Sequence, residues 1–441
     1  MGSFRRDAVS VMSSTVAAFL FNFLGGIVLA RLLGPEGKGL MAALLAIPYM
    51  LIPLCDLGAN RSIVYVLGRK QASEEELMPA LLVLFCITLT VGNLLILGLI
   101  QLIVETELSS QLLFLAAALF SIHMVHAYAR GIFLGRSQLD RFNRSLWMVP
   151  PLRLVLIGVF VWALGMGVEG AVLAEAISFA WVAFVLLRGQ GLTLRGRRID
   201  WSVVGLLLRL GLALSFSVFL LTALYRVDVL MLERMSTLEE AGAYSLAVNI
   251  AELLWQIPGA IGLVVMMRTA RDTAKGQFAR LVPQITRLAL LASVCAAIGI
   301  GIVAPYLVEI VYGTAFDRTA PMLRWMLPGV AGFAVFKIVQ TALTGDGKPW
   351  YPVIATVPAL IGNIALNFIL IPRYQGEGAG MATTISYLGG SLLLVLLYCR
   401  GRDVSLLQMT FPRMEDIKLA VTQLRELFGD ILRKIRPGKG A

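Results

Sequence analysis

The sequence predicts an all-α membrane protein: about twelve transmembrane helices in two pseudo-symmetric six-helix lobes around a central cavity. Three observations predict it. Of the 441 residues, 58% are hydrophobic and only 15% charged, against roughly 45–50% and about 25% in a soluble domain. The apolar surplus is gathered in blocks of about 20 residues, the length that crosses a hydrocarbon core of about 30 Å. Finally, segments of the first half recur, in register, in the second. A soluble fold is excluded.

The blocks place six spans near Ala8 to Leu29, Leu40 to Leu67, Met78 to Val104, Leu112 to Leu134, Leu146 to Met166 and Val168 to Leu187. Six more run near Val203 to Leu232, Ala243 to Met267, Val282 to Val308, Met322 to Leu343, Tyr351 to Ile371 and Gly378 to Tyr398. The basic-then-apolar N-terminus imitates a secretory signal, but its apolar stretch is too long and lacks a small-residue cleavage site, so it is read as the first span. The formal charge of +11 does not form one patch. Lys and Arg fall between apolar blocks, so they report topology rather than a nucleic-acid partner. Arg69 and Lys70, Arg136, Arg141 and Arg144, Arg195 to Arg198, and Arg268 to Arg280 mark alternate loops. Both termini are therefore expected in the cytoplasm of a multi-pass protein. Cys55, Cys86, Cys295 and Cys399 show no metal or redox spacing and read as small core residues.

Residues 1–188 form the first expected lobe, 189–200 a basic cytoplasmic linker, 201–400 the second lobe and 401–441 a cytoplasmic amphipathic tail. The tail repeats Ile417, Val421, Leu424, Phe428, Ile431 and Ile435 at helical spacing among basic residues, which suits an anionic membrane surface. The duplication rests on two pairs of segments. "ARLLGPEGKGLMAAL" answers "ERMSTLEEAGAYSLA", pairing Arg31 with Arg234, Glu36 with Glu239 and Gly39 with Gly242, each 203 positions apart. "VEGAVLAEAIS" answers "GEGAGMATTIS", 208 positions apart. An even number of spans per unit makes this a parallel repeat, the arrangement of transporters whose two bundles move about a central site.

A charge inside a span costs about 2.5–3.5 kcal/mol or more and needs a reason. His123, His126 and Arg130 share a face of the fourth span; Ser245, Asn249, Glu252 and Gln256 line the eighth. Asp56 and Asn60 share a face of the second, and Lys337, Thr341 and Thr344 one of the tenth. Arg226 and Asp228 interrupt the seventh span, and Arg153 and Glu175 the fifth and sixth. Such stripes fit one water-filled cavity; helix-to-helix polar glue is the plainer alternative, with Arg61 snorkelling at a span end. The two His have no third ligand in view, and no metal or cofactor is expected.

"VLARLLGPEGKGLMAALLAIPYMLIPLCDLGANRSIVYVLGRK" strongly resembles the first two helices of bacterial polysaccharide exporters and O-antigen flippases, within the multidrug/oligosaccharidyl-lipid/polysaccharide superfamily. "VDVLMLERMSTLEEAGAYSLAVNIAELLWQIPGAI" resembles the matching pair of their second half, and "GDGKPWYPVIATVPALIGNIALNFILIPRYQGEGAGMATTISY" their tenth to twelfth helices. The resemblance implies two lobes around a V-shaped cavity, and a polyprenyl-diphosphate-linked oligosaccharide carried across the bacterial inner membrane for surface polysaccharide synthesis. Membrane lipids and the polysaccharide polymerase machinery are the implied partners. On that reading Arg226, Lys337, Arg130, Arg153 and Arg61 replace the solvation of the diphosphate, while Asn249 and Gln256 suit sugar hydroxyls. Asp56, Glu252 and Asp228 are the candidates for coupling alternating access to an ion gradient. A drug or cation antiporter of the same superfamily is the alternative cargo reading; its cavity should be acidic and aromatic. A membrane sugar polymerase or glycosyltransferase is the alternative of another class. Such an enzyme needs a sizeable extramembrane loop and a reactive constellation, and neither is visible.

Overall fold

The computed structural model describes residues 2–416, apart from 69–70, 105, 107, 137, 189–198, 272–277, 401, 403, 412 and 415. In chain order its helices are α1 (Gly2–Cys55), α2 (Ala59–Gly68), α3 (Glu74–Ile103), α4 (Ser110–Gly135), α5 (Leu139–Trp147), α6 (Val149–Ile157) and α7 (Gly167–Leu187). Then come α8 (Trp201–Met235), α9 (Leu238–Ala251), α10 (Gln256–Arg271), α11 (Val282–Tyr312), α12 (Thr319–Gly345), α13 (Trp350–Arg400) and α14 (Leu406–Thr410). The basic linker expected at 189–200 lies mostly outside the described residues.

Ten helical runs among the described residues are long and apolar enough to cross a membrane. Two of them hold two spans each. Ser13–Cys55 has 43 residues and Trp350–Arg400 has 51, twice what one crossing takes, and each bends at a single residue of positive φ, Gly34 at 66° and Gln375 at 52°. Twelve spans result. The polar turn read between the first two spans is thus one residue wide, with Gly34 supplying the left-handed conformation and Pro35 restarting the helix.

The second and eighth spans differ from the continuous helices that their apolar blocks imply. α1 stops at Cys55, Leu57 and Gly58 take φ of 48° and 69°, and α2 begins at Ala59. Gly58 is required twice over, because a Cβ there would also sit 2.4 Å from the Cα of Gly211 in α8. In the eighth span a 3-10 turn, Glu252–Trp255, separates α9 from α10. Both interruptions fall at a carboxylate, Asp56 and Glu252. Irregular backbone at membrane depth persists only where protein or a water-filled cavity covers it. The fifth span is also divided, with two prolines opening α6 and a π-helical turn at Gly158–Ala163.

The helices form two compact units. The larger comprises Met1–Ala247, Ala304–Met322 and Leu360–Ala382, and the second Val248–Val303, Leu323–Ala359 and Thr383–Ala441. In the larger unit α1 packs on α8, and α4 on α7 and α2. Leu44, Ile63 and Phe120 are wholly buried in its core. Of the cysteines only Cys55 is a buried residue of that core; Cys86 and Cys295 are exposed on helix surfaces, against expectation.

The duplication is visible in one contact of the larger unit. A Cβ added at Gly39 would lie 1.9 Å from the carbonyl oxygen of Leu238, and one at Gly242 would lie 1.9 Å from that of Pro35. Pro35 and Leu238, like Gly39 and Gly242, are 203 positions apart, so the contact maps onto itself under the repeat. Gly39→Val and Gly242→Val are each expected to cost about 1–3 kcal/mol, the usual penalty of overpacking. The unfolding midpoint of the detergent-solubilised protein reads this directly; an unchanged midpoint would mean that the helices part freely there.

In the second unit the segment after the last span is fastened to α11. Arg287 Nε donates to Asp416 Oδ2 at 2.6 Å, Nη2 donates to Oδ1 at 3.1 Å, and Nη1 donates to the Gln408 carbonyl. The amphipathic stretch read at 417–435 lies outside the described residues. The Arg287 guanidinium holds the Asp416 carboxyl below its usual range. A depressed carboxylate stabilises the fold above its ordinary pKa of about 3.9 and loses that contribution as pH falls through the folded value. The fastening should therefore persist at neutral pH and fail only in acid. Asp416→Asn, worth about 1.5–3 kcal/mol for a charge-assisted contact, should speed amide exchange over residues 405–411 at pH 7. Exchange unchanged from wild type would show that the contact holds nothing.

Candidate functional site

Three polar centres stand inside the spans, two in the larger unit and one in the second. The first is a cavity of about 330 Å³. Ile52, Pro53 and Asp56 reach it from the unwound end of α1, and His123, His126, Ala127 and Arg130 from α4. Phe179 of α7 and Ser215 and Val218 of α8 complete its wall. The spacing of His123, His126 and Arg130 puts them on one helix face, and Phe179 orders that face: its ring centroid is 4.1 Å from that of His123 and 5.1 Å from that of His126. His123 Nδ1 lies 2.9 Å from the Leu119 carbonyl oxygen. The Arg130 guanidinium sits 5.0 Å from the Phe142 ring.

The second centre is basic. Glu175 of α7, 3% exposed, accepts a hydrogen bond from the Tyr49 hydroxyl at 2.5 Å and faces Arg153 Nη1 at 3.4 Å. Arg153 Nη2 donates to Asn22 Oδ1 at 2.6 Å. Lys38 lies within electrostatic reach of Arg153, Glu175 and Arg226, and Arg226 within that of Tyr49. Basic side chains thus gather near the Glu175 carboxylate, where a low-dielectric setting strengthens their pull on an anion. The centres adjoin, since the His123 ring is 5.6 Å from the Tyr49 ring.

The third centre, in the second unit, sits at the interrupted eighth span. Lys337 Nζ lies 4.3 Å from the Trp255 ring and 6.0 Å from Phe333, an arrangement in which the ring faces stabilise the ammonium. The Trp255 indole donates to the Val330 carbonyl at 3.1 Å, and Glu252 is within electrostatic reach of Lys337.

The structure therefore brings Asp56 and Arg130 to one cavity, Arg153 to Glu175, and Glu252 to Lys337. Asn249 and Gln256 are exposed on α9 and at the start of α10. The Arg61 side chain lies outside the described residues. Asp228 is held by buried hydrogen bonds. It is 2% exposed and accepts from the Tyr244 hydroxyl at 2.7 Å and from Asn367 Nδ2 at 2.5 Å, and Asn367 also donates to Asn363 Oδ1 at 3.0 Å. Lys38, Tyr49, Ser215 and Trp255 escaped the sequence reading, and Glu175 was noted without a role. For Tyr49 a signal existed: it stands 203 positions before Glu252, so the repeat assigns both to one site of the duplicated helix. Among the described residues no group of three or more His, Cys, Asp or Glu is placed to hold a metal ion.

Twelve spans with charged centres inside them define a multi-pass membrane protein. The family model for polysaccharide biosynthesis proteins matches residues 4–266, more than half the chain, and the chain belongs to that family. The MatE family model matches residues 213–369. A probable lipid II flippase MurJ of Thermotoga maritima is 23% identical over 192 residues, 42% of this chain and 40% of that protein. A probable multidrug resistance protein NorM of Xanthomonas axonopodis pv. citri is 30% identical over 145 residues, 30% of each chain. The matched stretches thus span less than half the length of either relative. Among solved structures, an inward-facing multidrug resistance MATE family transporter of the MOP superfamily superposes with a TM-score of 0.73 at 17% identity, covering 90% of this chain and 98% of that one. The lipid II flippase MurJ, inward closed, superposes with a TM-score of 0.71 at 16% identity, covering 97% and 94%. The fold is that of the MOP superfamily, in which flippases and drug transporters share one architecture.

Proposed function

We propose that the protein is a flippase that moves a polyprenyl-diphosphate-linked oligosaccharide across the bacterial inner membrane for surface polysaccharide synthesis, with both termini cytoplasmic. The observation that carries this reading is the basic centre. Arg153 pairs with Glu175, and Lys38 lies within electrostatic reach of Arg153, Glu175 and Arg226, a basic setting whose desolvation an anion offsets. A diphosphate supplies that anion, and guanidinium groups replace its hydration through paired N–H donors. The isoprenoid tail stays in lipid. Glu252 beside Lys337 is the coupling carboxylate on this reading, because its charge state sets that of the pair.

A drug or cation antiporter is the second reading, and the MatE match over residues 213–369 favours it. The aromatic surroundings of Lys337 resemble a cation site, but a protein cation already occupies them. The two readings separate in the native mass spectrum of protein taken from its own membranes in mild detergent. A flippase should carry an adduct whose mass equals a polyprenyl diphosphate plus sugars, lost in Arg226→Ala. An adduct-free spectrum from wild type, with ordinary phospholipids retained, would contradict the proposal.

A further inference from the structure

The cavity walled by Asp56, His123, His126 and Arg130 differs in chemistry from the basic centre next to it. One carboxylate stands with one guanidinium, and the imidazoles add further donors and acceptors. A site so composed does not recognise a diphosphate. The side chains that line it, Asp56 and Arg130 among them, suit an occupant rich in hydrogen-bonding groups. The volume, about 330 Å³, is at the lower end of the range of about 300–1,000 Å³ for small-molecule pockets. That is room for a single ring, not an oligosaccharide. Phe179 adds an apolar surface of the kind that the C–H face of a pyranose covers.

Position decides the identity. The His123 and Tyr49 side chains link this cavity to the Glu175–Arg153 pair, their rings 5.6 Å apart and the Tyr49 hydroxyl bonded to Glu175. In a lipid-linked glycan the diphosphate and the first sugar are likewise neighbours, joined by one ester linkage. We infer that the cavity holds the sugar attached directly to the diphosphate, with Asp56 accepting from its hydroxyls and Arg130 donating to its oxygens. Asp56 is thereby a specificity residue, and Glu252 is left as the coupling carboxylate. The inference rests on the flippase reading.

The test uses the full chain in nanodiscs and two kinds of probe: bare polyprenyl diphosphate, and the same lipid carrying one hexose or one N-acetylhexosamine. Wild type should bind a glycosylated lipid about tenfold more tightly than the bare one, the ratio that about 1.4 kcal/mol supplies. Asp56→Asn and Arg130→Gln should each bring that ratio close to one, whereas Arg226→Ala should weaken both lipids alike and keep the ratio. Equal binding of bare and glycosylated lipid by wild type overturns the sugar pocket and leaves the diphosphate site standing; so does an undiminished ratio in both pocket variants. If wild type binds none of the lipids, the flippase reading fails first and the pocket with it.

Discussion

Replacing Arg226 with alanine is expected to weaken binding of a polyprenyl-diphosphate-linked sugar by roughly 10- to 100-fold, the equivalent of about 1.5–3 kcal/mol for a charge-assisted hydrogen bond. Arg153→Ala should do the same and also lower the amount of folded protein. The difference between the two follows from their partners. Arg153 faces Glu175, which is 3% exposed, and holds Asn22 at 2.6 Å, so its removal leaves a buried carboxylate with the Tyr49 hydroxyl alone among these partners. Breaking a buried ion pair costs about 3–5 kcal/mol where no other cation is near, and less here, with Lys38 within electrostatic reach of Glu175. Arg153→Ala paired with Glu175→Gln should recover the folded amount without recovering lipid binding. Arg226→Lys should restore binding only in part, because an ammonium cannot offer phosphate the paired donors of a guanidinium. Lipid binding and membrane abundance measured on the same preparations check all four variants. Binding that survives in Arg226→Ala and Arg153→Ala together would move the diphosphate elsewhere.

Asp228→Ala is expected to deplete the folded protein while leaving any surviving molecules able to bind lipid. The carboxylate accepts from Tyr244 at 2.7 Å and Asn367 at 2.5 Å, and both donors are buried. Deleting their acceptor leaves two donors unmade at about 1–3 kcal/mol each, a large share of the stability of a typical domain. Asn367→Ala should cost less, since Asp228 keeps Tyr244. Thermal unfolding in detergent, with lipid binding measured on the folded fraction, separates this clamp from the ion-coupling role that the sequence suggested for Asp228. Normal stability with lost gradient dependence would return Asp228 to the coupling role.

Fold and site were legible to different depths. Apolar block length exposes every span, because the bilayer sets that length and nothing else in the chain mimics it. Block length is blind to interruptions, however. Asp56 and Glu252 look like polar residues within helices, and only φ values or a 3-10 turn show that the backbone opens beside them. The stripe His123, His126, Arg130 was readable because one helix carries it. The grouping of Lys38, Tyr49, Arg153, Glu175 and Arg226 was not, because α1, α6, α7 and α8 each contribute one or two of its members and packing alone joins them. Lys38 is the clearest case: beside Gly37 and Gly39 in "GPEGKG" it reads as a turn cation, yet the chain bends at Gly34 and carries it into α1. The repeat was the most productive of the sequence signals. It paired Gly39 with Gly242, which the structure then brings into contact, and its offset links Tyr49 to Glu252.

The central claim, that an anionic lipid-linked sugar is the cargo, is tested most directly by transport in proteoliposomes. Purified protein is reconstituted with a polyprenyl-diphosphate oligosaccharide whose sugars are accessible to a membrane-impermeant oxidant on one face only, in parallel with vesicles loaded with a fluorescent cationic dye. The expected result is protein-dependent transfer of the glycolipid to the oxidant-exposed face, abolished by Arg226→Ala, with the dye retained. Gradient-driven efflux of the dye with the glycolipid left in its original leaflet would contradict the account.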